Sequence, residues 1–470
     1  MKTIIMTGLV AAVSAALPAL AVEIRTTTFE EPWKKSQLAP ETAEADCTLT
    51  VDPARAEQTI VGFGTAVSEL SWDSLSLLPA AERGRILDEL CSPSGGNFTV
   101  FRTPIGSSDF ARDYYSYDDH PGDFAMEKFS VAIDERALLP LLREIVRRVS
   151  ADQLKIWASP WCPPKWMKVS GRYASHGPDP DGEPNDCPEE FRVYEGEEGF
   201  ICDDAHFKAY ARYFRKYVDA YRAAGIPIGM VMPQNEFNSA QPYPSCTWTA
   251  RSLVTFIGRY LGPALEGSGV QLYFGTVERS TMEFVNAVLK DPDCVRYVKG
   301  AGFQWAGRGA IEPVHRRYPD LPLVQTEQEC GDGRNDWTFA RHSWELMRHY
   351  FGNGASIYEY WNLSLKADAK SRWGWRQNSL VSVDPSTRTA RFNIEYYILK
   401  HASHFVPRGS RRVTTGGYED ALAFVRPDGG VVTLLGNETD KPMTVAIAAG
   451  EGRRLAVTLP SRSLTTVSFK

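Results

Sequence analysis

Two glutamates follow apolar segments that have the character of buried β-strands. Glu236 ends the segment MVMPQNE, and Glu327 ends the segment LPLVQTE. A carboxylate placed where a buried strand opens into a loop can be held rigidly and partly desolvated, which favours acid–base or nucleophilic chemistry on an acetal. Because the chain contains 58 acidic residues, and most acidic side chains are solvated, this interpretation depends on a shared place for the two glutamates in the fold.

Strand-like and helix-like segments alternate along the chain, and this pattern gives the two glutamates equivalent positions in the fold. Strands are predicted at residues 59–63, 98–102, 154–158, 228–232, 271–274, 301–304, 323–326 and 356–361. Helices are predicted at residues 80–90, 135–148, 205–224, 250–261, 282–289, 310–317, 339–351 and 394–404. Eight such pairs predict an α/β fold, a (β/α)8 TIM barrel, whose reactive groups follow the carboxyl ends of the strands. Glu236 and Glu327 both satisfy this rule of position.

The helix at residues 205–224 has the clearest pattern. Its apolar residues repeat at three- and four-residue spacing, Asp203 or Asp204 is available as the N-cap, and Gly225 follows as the C-cap. Such an amphipathic helix buries one face, as the helices that surround a barrel must.

The ends of the chain differ in character from the barrel. Residues 1–21 contain Lys2, an apolar run and the small-residue pattern of Ala19 and Ala21, which predict a secretory signal peptide. Residues 406–470 contain strand-like runs and a PDGG turn, and they predict an all-β sandwich side domain. Residues 22–58 are expected to join this side domain, which leaves residues 59–405 for the catalytic barrel.

Composition excludes several classes of partner. The formal net charge is −6 and the pI is near 5.9, without the concentrated basic face that binding to nucleic acid requires. Beyond the N-terminal run, no stretch reaches the roughly 20 uninterrupted apolar residues of a membrane span. The predicted location is secreted or periplasmic. The sequence leaves the oligomeric state open.

The eight cysteines admit two interpretations. Cys187 and Cys202 bracket a loop rich in Gly and Glu and are the first choice for a local disulfide in an oxidising compartment. Alternatively, Cys162, Cys246 and Cys330 are free thiols packed near the site. No spacing of cysteine and histidine matches a zinc site, so no metal is predicted.

The predicted strand ends are dense in polar and aromatic residues. They carry Arg102 and Asp109, Ser159 and Trp161, Asn235 and Glu236, Gln304 and Trp305, Thr326 and Glu327, and Trp361 and Asn362. Sugars suit this mixture, because their C–H faces lie on indole rings while their hydroxyls bond to carboxylates, amides and guanidinium groups. A single tryptophan could equally fill a core gap, but several strand ends with such candidates favour a carbohydrate site.

Five motifs resemble glycoside hydrolase family 30, which includes lysosomal-type glucosylceramidases and β-1,6-glucanases. They are GFG at residues 62–64, RTPIGSSDF at 102–110, ASPWCPPKWMK at 158–168, QNE at 234–236 and TE at 326–327. The similarity extends from about residue 58 to the C-terminus. It implies a barrel with a fused β-sandwich, retaining chemistry and no cofactor.

The resemblance also implies roles for individual residues. Glu236 would be the general acid/base, Glu327 the nucleophile, Asn235 a partner of the sugar 2-hydroxyl and Arg102 a brace for the nucleophile. Asp109, Trp161, Trp361 and Asn378 match positions that contact the terminal glucose, and Tyr243 matches a tyrosine near the nucleophile. Gln304 and Trp305 are further substrate-binding candidates. Arg102 could instead form a purely structural buried ion pair.

The chain departs from the family pattern at three positions. Phe237 follows Glu236 where the family commonly has proline, Gln304 stands where glucosylceramidases have histidine, and Ala306 stands at the next aromatic position. Glu329 is a second candidate nucleophile, because a strand that continued through it would point both glutamates the same way. The family motif favours Glu327.

The substrate is expected to be a β-glucoside or a β-glucan. A xylan- or galactan-type chain cut internally is an alternative within the family, and a non-catalytic carbohydrate-binding protein is an alternative outside the enzymes. Residues 170–199, rich in Gly, Asp, Glu and Pro, predict either a wall of the cleft or a solvated surface excursion.

Overall fold

The computed structural model describes residues 22–368, 370–450 and 454–470 of the chain. The predicted signal peptide at residues 1–21 lies outside the described residues. Within the described part of the chain, no helix combines the length and the apolar character needed to cross a membrane.

Eight parallel strands form a nearly closed barrel, which confirms the predicted fold class. In chain order they are β1 (Gly62–Ala66), β2 (Val100–Pro104), β3 (Lys155–Ser159), β4 (Ile228–Val231), β5 (Gln271–Val277), β6 (Val298–Gln304), β7 (Leu323–Glu327) and β8 (Ile357–Asn362). From β1 to β7 each strand pairs with the next one in the sequence, and β8 pairs with β1. A bridge between Leu323 and Ala355 brings β7 beside β8, and the side chain of Gln325 extends this contact by bonding to both the N–H and the C=O of Glu359.

Helices cover the outside of the barrel. They span Glu69–Leu75, Ala80–Cys91, Leu138–Val146, Asp204–Ala223, Ala250–Phe256, Gly262–Leu265, Glu283–Lys290, Arg308–Arg317, Trp337–Gly352 and Ile394–Ser403. A π-helical turn, Ile257–Leu261, follows Ala250–Phe256, and short 3-10 helices occur at Ala132–Arg136, Lys165–Met167, Glu189–Phe191 and Trp305–Gly307. In the longest helix Asp203 is the N-cap, as predicted, while the C-cap is Ala224 and Gly225 follows with φ of 85°.

Apolar side chains fill the barrel on both sides of its strands. Inside, Trp157, Met230, Met232 and Val324 belong to one buried cluster. Outside, a larger cluster joins the strands to the helices, and the inner face of Asp204–Ala223 contributes its aromatic residues to it. Packing on both faces keeps the strands rigid, so the residues at their carboxyl ends hold fixed positions.

The side domain is a nine-stranded sheet that takes strands from both ends of the chain. The strands are Glu23–Thr27, Lys34–Lys35, Cys47–Thr59, Arg411–Gly416, Ala421–Val425, Val431–Asn437, Met443–Ala449, Arg454–Leu459 and Ser463–Phe469. Cys47–Thr59 lies between Arg411–Gly416 and Met443–Ala449, and Glu23–Thr27 pairs with Ser463–Phe469. A third sheet, of Ser364–Lys366, Val381–Asp384 and Thr389–Phe392, follows the last barrel strand.

The cysteines form no disulfide, so the expected bridge between Cys187 and Cys202 is wrong. All eight lie among the described residues and all are free. The thiol of Cys187 contacts the carbonyl of Pro188, and that of Cys202 contacts the carbonyl of Phe200. Each thiol therefore has a backbone carbonyl of its own segment as its hydrogen-bond partner. Cys162, Cys246 and Cys330 are buried thiols, in agreement with the alternative interpretation.

Candidate active site

The two glutamates lie at the same end of the barrel. Glu327 is the last residue of β7, and Glu236 lies in the loop after β4. The backbone of Glu236 has φ of 48°, a left-handed conformation that non-glycine residues adopt rarely and often at functional sites. Its N–H donates to the hydroxyl of Thr276 at 2.9 Å, which fixes the turn and directs the carboxylate inward.

One amide connects the two carboxylates. The side-chain nitrogen of Gln304 is 3.0 Å from Oε1 of Glu236 and 3.2 Å from Oε2 of Glu327. It also lies 3.2 Å from the side-chain oxygen of Asn235. Gln304 is fully buried at the end of β6 and is not among the residues that line the cavity, so it supports the carboxylates from behind.

Arg102 binds Glu327 from inside the barrel. One guanidinium nitrogen donates to Oε2 of Glu327 at 2.7 Å, and the other donates to Asn235 at 2.6 Å and to Ser159 at 3.0 Å. The guanidinium is fully buried among three indole rings, and the nearest is that of Trp161, with its centroid at 4.4 Å. A buried cation held by charge-assisted hydrogen bonds and ring faces has one orientation, which it imposes on Glu327.

The second oxygen of Glu327 faces a tryptophan. The indole N–H of Trp305 donates to Oε1 of Glu327 at 2.9 Å. Trp305 has φ of 48° and begins a short 3-10 helix directly after β6. The strained backbone turns the ring across the mouth of the barrel, where it forms part of the pocket wall.

Glu236 is poised to hold a proton. Burial, reinforced by the charge of Glu327, raises the pKa of Glu236 to about 7. The hydroxyl of Tyr243 donates to Oε2 of Glu236 at 3.0 Å. Tyr243, expected near Glu327, lines the same cavity as Glu327, and its hydrogen bond is to Glu236.

Two further carboxyls respond to the same low-dielectric surroundings. Burial raises the pKa of Glu327, an effect that the guanidinium of Arg102 and the N–H of Trp305 oppose. Burial, followed by the charges of Glu327 and Glu236, raises the pKa of Asp109 well above its usual range. One cation therefore lies among three carboxyls, which cannot all ionise cheaply.

The carboxylates line a cavity of about 380 Å³. Six of the predicted residues line it, namely Asp109, Trp161, Glu236, Tyr243, Trp305 and Glu327. Trp361 lies behind the wall, with its ring 5.2 Å from that of Trp161. The indole N–H of Trp361 and one carboxylate oxygen of Asp109 are buried without a hydrogen-bond partner among the described residues, and buried polar groups ordinarily have one.

Asn378, a candidate for contact with glucose, is not among the residues that line the cavity. It is fully buried and donates to the carboxylate of Glu395 at 2.6 Å. Its side-chain oxygen accepts the backbone N–H groups of Gly333 at 2.7 Å and Asn335 at 3.2 Å. Asn378 therefore holds the loop after β7, while its neighbour Gln377 reaches the cavity.

Glu329 points away from the pair. It forms an ion pair with Arg308 and lies 3.0 Å from the ring of His342, both on the outer helices. β7 ends at Glu327, so the strand alternation that could have aligned the two glutamates does not extend to Glu329.

Loops that the sequence left unassigned build the remaining walls. They contribute Asp179, Gln241, Pro242, Glu278, Trp375 and Arg376. Asp179 belongs to the excursion at residues 170–199, so part of that segment is a cleft wall. The segment meets the loop after β8 where the N–H of Glu183 donates to the carbonyl of Trp373 at 3.2 Å. Besides the composition of residues 170–199, the aromatic character of the stretch WGWRQ at residues 373–377 signals such a wall.

Family models match nearly the whole described chain. The glycosyl hydrolase family 30 TIM-barrel domain matches residues 60–406, and the glycosyl hydrolase family 30 beta sandwich domain matches residues 409–467.

Curated relatives and solved structures agree with this match. The chain is 26% identical to the lysosomal acid glucosylceramidase of Mus musculus, over 90% of this chain and 83% of the relative. It is 28% identical to the endo-1,6-beta-D-glucanase neg1 of Aspergillus fumigatus, over 90% and 88% of the two chains. A solved endo-β1,6-glucanase superposes with a TM-score of 0.80 at 26% identity, over 95% of this chain and 99% of the other. With two matching domain models and a carboxylate pair at the carboxyl ends of β4 and β7, the chain belongs to glycosyl hydrolase family 30 and is a glycoside hydrolase.

Proposed function

We propose that this protein is a secreted retaining β-glycosidase that hydrolyses β-glucosidic linkages by double displacement. In this proposal Glu327 is the nucleophile and Glu236 is the general acid/base. The observation that carries the proposal is the single amide nitrogen of Gln304, which is within hydrogen-bond distance of both carboxylates.

The shared donor limits how far apart the carboxylates are. Since Gln304 contacts both, the two nearest oxygens are at most about 6 Å apart, a bound that is compatible with the roughly 5–5.5 Å separation of the carboxyls in retaining enzymes. A carboxylate at this separation reaches the anomeric carbon directly. The geometry therefore supports a covalent glycosyl-enzyme.

The surroundings of the two glutamates support different protonation states. Glu327 accepts a charge-assisted hydrogen bond from Arg102 at 2.7 Å, whereas Glu236 accepts hydrogen bonds from the neutral groups of Tyr243 and Gln304. A shared proton therefore resides on Glu236, whose pKa is raised to about 7. This is the distribution that the first step requires.

The proposed cycle has two steps. An oxygen of Glu327 bonds to the anomeric carbon while the bond to the aglycone oxygen breaks, and Glu236 gives its proton to that oxygen. Water then attacks the same carbon, Glu236 takes one proton from the water, and Glu327 leaves as a carboxylate. Oε2 of Glu327 already accepts from Arg102 and Gln304, so Oε1, which accepts from Trp305, is the freer oxygen for attack.

Groups without partners in the cavity support recognition of a neutral sugar. One carboxylate oxygen of Asp109 is buried and unsatisfied among the described residues, and so is the indole N–H of Trp361. A sugar hydroxyl can donate to the first and accept from the second, while the ring of Trp161 offers an apolar face. The two curated relatives named above are a glucosylceramidase and an endo-1,6-beta-D-glucanase, which favours a glucose-configured substrate.

A substrate panel with anomer analysis tests the proposal. The enzyme is incubated with an aryl β-glucoside, glucosylceramide in detergent, a β-1,6-glucan and a xylan, and the products are separated by chromatography. Glucose released first as the β-anomer, observed by proton NMR, is the expected result. Release of the α-anomer would reject double displacement, and cleavage of xylan alone would favour the xylan-type alternative. Glu327→Gln should abolish turnover, and substantial residual activity would reject Glu327 as the nucleophile.

Secretion is supported by the signal-like residues 1–21, and cleavage is expected after Ala21. Mass spectrometry of the protein recovered outside the cytoplasm of its host tests this point. A mature chain that begins at Val22 is the expected product, and an intact chain retained in the cytoplasm would reject secretion.

A further inference from the structure

We infer that Gln304 is a positioning residue that serves both halves of the reaction, by giving its amide hydrogens to whichever carboxylate of the pair is ionised. This inference rests on the proposed function, since it assumes that Glu236 and Glu327 exchange roles as anions during the cycle. It departs from the expectation that Gln304 binds substrate.

The amide of Gln304 has a fixed orientation. Its oxygen accepts the hydroxyl of Thr326 at 2.9 Å and lies 3.4 Å from a guanidinium nitrogen of Arg102. The guanidinium can only donate, and the carboxylates on the other side can only accept when ionised, so the oxygen faces Arg102 and the NH₂ group faces the carboxylates. Gln304 is fully buried, so water does not compete for this NH₂ group.

The donors of Gln304 are fewer than the acceptors that surround them. Two amide hydrogens face three oxygens, those of Asn235 at 3.2 Å, Glu236 at 3.0 Å and Glu327 at 3.2 Å. Hydrogen bonds to an ionised acceptor are stronger than those to a neutral one. The stronger bond therefore goes to the carboxylate that carries the charge at each stage, and it does so without movement of the side chain.

The charge changes place once in each catalytic cycle. Before the first step Glu327 is the anion and Glu236 holds the proton. In the glycosyl-enzyme Glu327 is esterified and Glu236 is the anion that accepts a proton from water. A donor that contacts both carboxylates stabilises the anion of each state, whereas Arg102 contacts Glu327 and Tyr243 contacts Glu236. Gln304 thus joins two stabilising systems that are otherwise separate.

A methionine substitution tests the inference. Gln304→Met keeps the length of the side chain and removes its donors, so the pKa values of Glu236 and Glu327 should both rise. Both limbs of the bell-shaped pH profile of kcat/KM, measured with an aryl β-glucoside, should move to higher pH. The kcat should fall by about 10²-fold, the lower end of the effect of losing one preorganised donor.

The matched control is Gln328→Met. Gln328 is also buried, but it donates to the hydroxyl of Ser343 at 2.7 Å, outside the pair. Both limbs of the pH profile of kcat/KM of this variant should coincide with those of the wild type, whatever the change in its melting temperature. Gln304→Glu is a second variant that keeps both size and polarity, and its additional negative charge should raise both limbs further.

The outcomes separate this inference from the function on which it rests. Upward movement of both limbs in Gln304→Met, with none in Gln328→Met, supports the shared donor. Unmoved limbs in both Gln304 variants overturn it, whatever the loss of kcat. Two other results would instead reject the assignment of Glu236 and Glu327 as the catalytic pair. The first is a wild-type enzyme without β-glucosidase turnover, and the second is a Glu236→Gln variant whose pH profile keeps its alkaline limb.

Discussion

The indole N–H of Trp157 donates a 2.5 Å hydrogen bond to a carboxylate oxygen of Glu359 inside the barrel. The centroid of the same ring lies 4.8 Å from the guanidinium of Arg102. Glu359 therefore fixes the ring on which the cation beside Glu327 rests. The arrangement places a carboxyl deep in an apolar interior, where burial raises the pKa of Glu359 to about 8.

Stability should decrease as the pH rises from mildly acidic to mildly alkaline. Burial raises the pKa of Glu359 and of Glu395 to about 8, from ordinary values of 4.5. Between pH 4.5 and about pH 8 these two carboxyls lose their protons in the unfolded chain and keep them in the folded chain. The free energy of unfolding therefore falls as the pH rises. The melting temperature, measured by calorimetry, should therefore be a few degrees higher at pH 5 than at pH 8.

The variant Glu359→Gln tests whether Glu359 causes this dependence of the melting temperature on pH. The amide keeps an acceptor for Trp157 but cannot ionise, so the difference between the two melting temperatures should narrow. Glu190→Gln, at an exposed position, is the control and should leave the difference unchanged. A melting temperature that rises with pH in the wild type would contradict the prediction.

Tyr243→Phe should extend activity to higher pH. The hydroxyl of Tyr243 donates to Glu236 at 3.0 Å and lowers the pKa of that carboxyl. One neutral hydrogen bond contributes about 1 kcal/mol, so its loss should raise the alkaline limb of kcat/KM by roughly 0.5–1 pH unit. The acid limb should stay in place, in contrast to Gln304→Met. An alkaline limb that moves down would show that the hydroxyl does not act on Glu236 in this way.

Glu329→Gln should retain wild-type turnover within about twofold, while Glu327→Gln should lose at least about 10³-fold, as expected when a member of a catalytic unit is removed. Glu329 pairs with Arg308 and His342 on the outer helices, so its charge is outside the pocket. Trapping with a 2-fluoro glucoside followed by peptide mass spectrometry checks the same point, because the label should be on Glu327. A label on Glu329 would reverse the assignment.

Two substitutions at Asn378 should separate its effect on the shape of the pocket from its effect on the stability of the fold. Asn378→Ala removes the acceptor for Gly333 and Asn335, so the loop after β7 should loosen and KM should rise about tenfold. Asn378→Asp keeps that acceptor but loses the donor to Glu395, so KM should change less while the melting temperature falls. Steady-state kinetics measure KM and calorimetry measures the melting temperature of both variants. Equal changes in KM in the two variants would contradict the prediction.

The barrel could be predicted because its signal is local. Each strand is a short apolar run that ends in polar residues, and the predicted strands overlap the observed strands at all eight positions. The first strand is the least accurate, predicted at residues 59–63 and observed at Gly62–Ala66. The reason is tertiary, since Thr59 still pairs with Arg411 as the end of a strand of the side domain.

The pocket walls could not be predicted in the same way. Asn378 and Gln377 are neighbours, yet Gln377 lines the cavity and Asn378 is buried beneath it. Which of the two faces the sugar depends on how the loops after β7 and β8 pack together, and no periodic pattern records such packing. The bridging role of Gln304 was likewise missed, because it requires the distance between two strands that are separate in the sequence.

The first and last described strands of the side domain, Glu23–Thr27 and Ser463–Phe469, are neighbours in one sheet. During synthesis the earlier strand emerges long before its partner exists, so it stays unpaired until Ser463–Phe469 has been made. Deleting Ser463–Phe469 would therefore also expose an edge of the sheet at Glu23–Thr27. A deletion confined to Ser463–Phe469 therefore disturbs two segments that are far apart in the sequence.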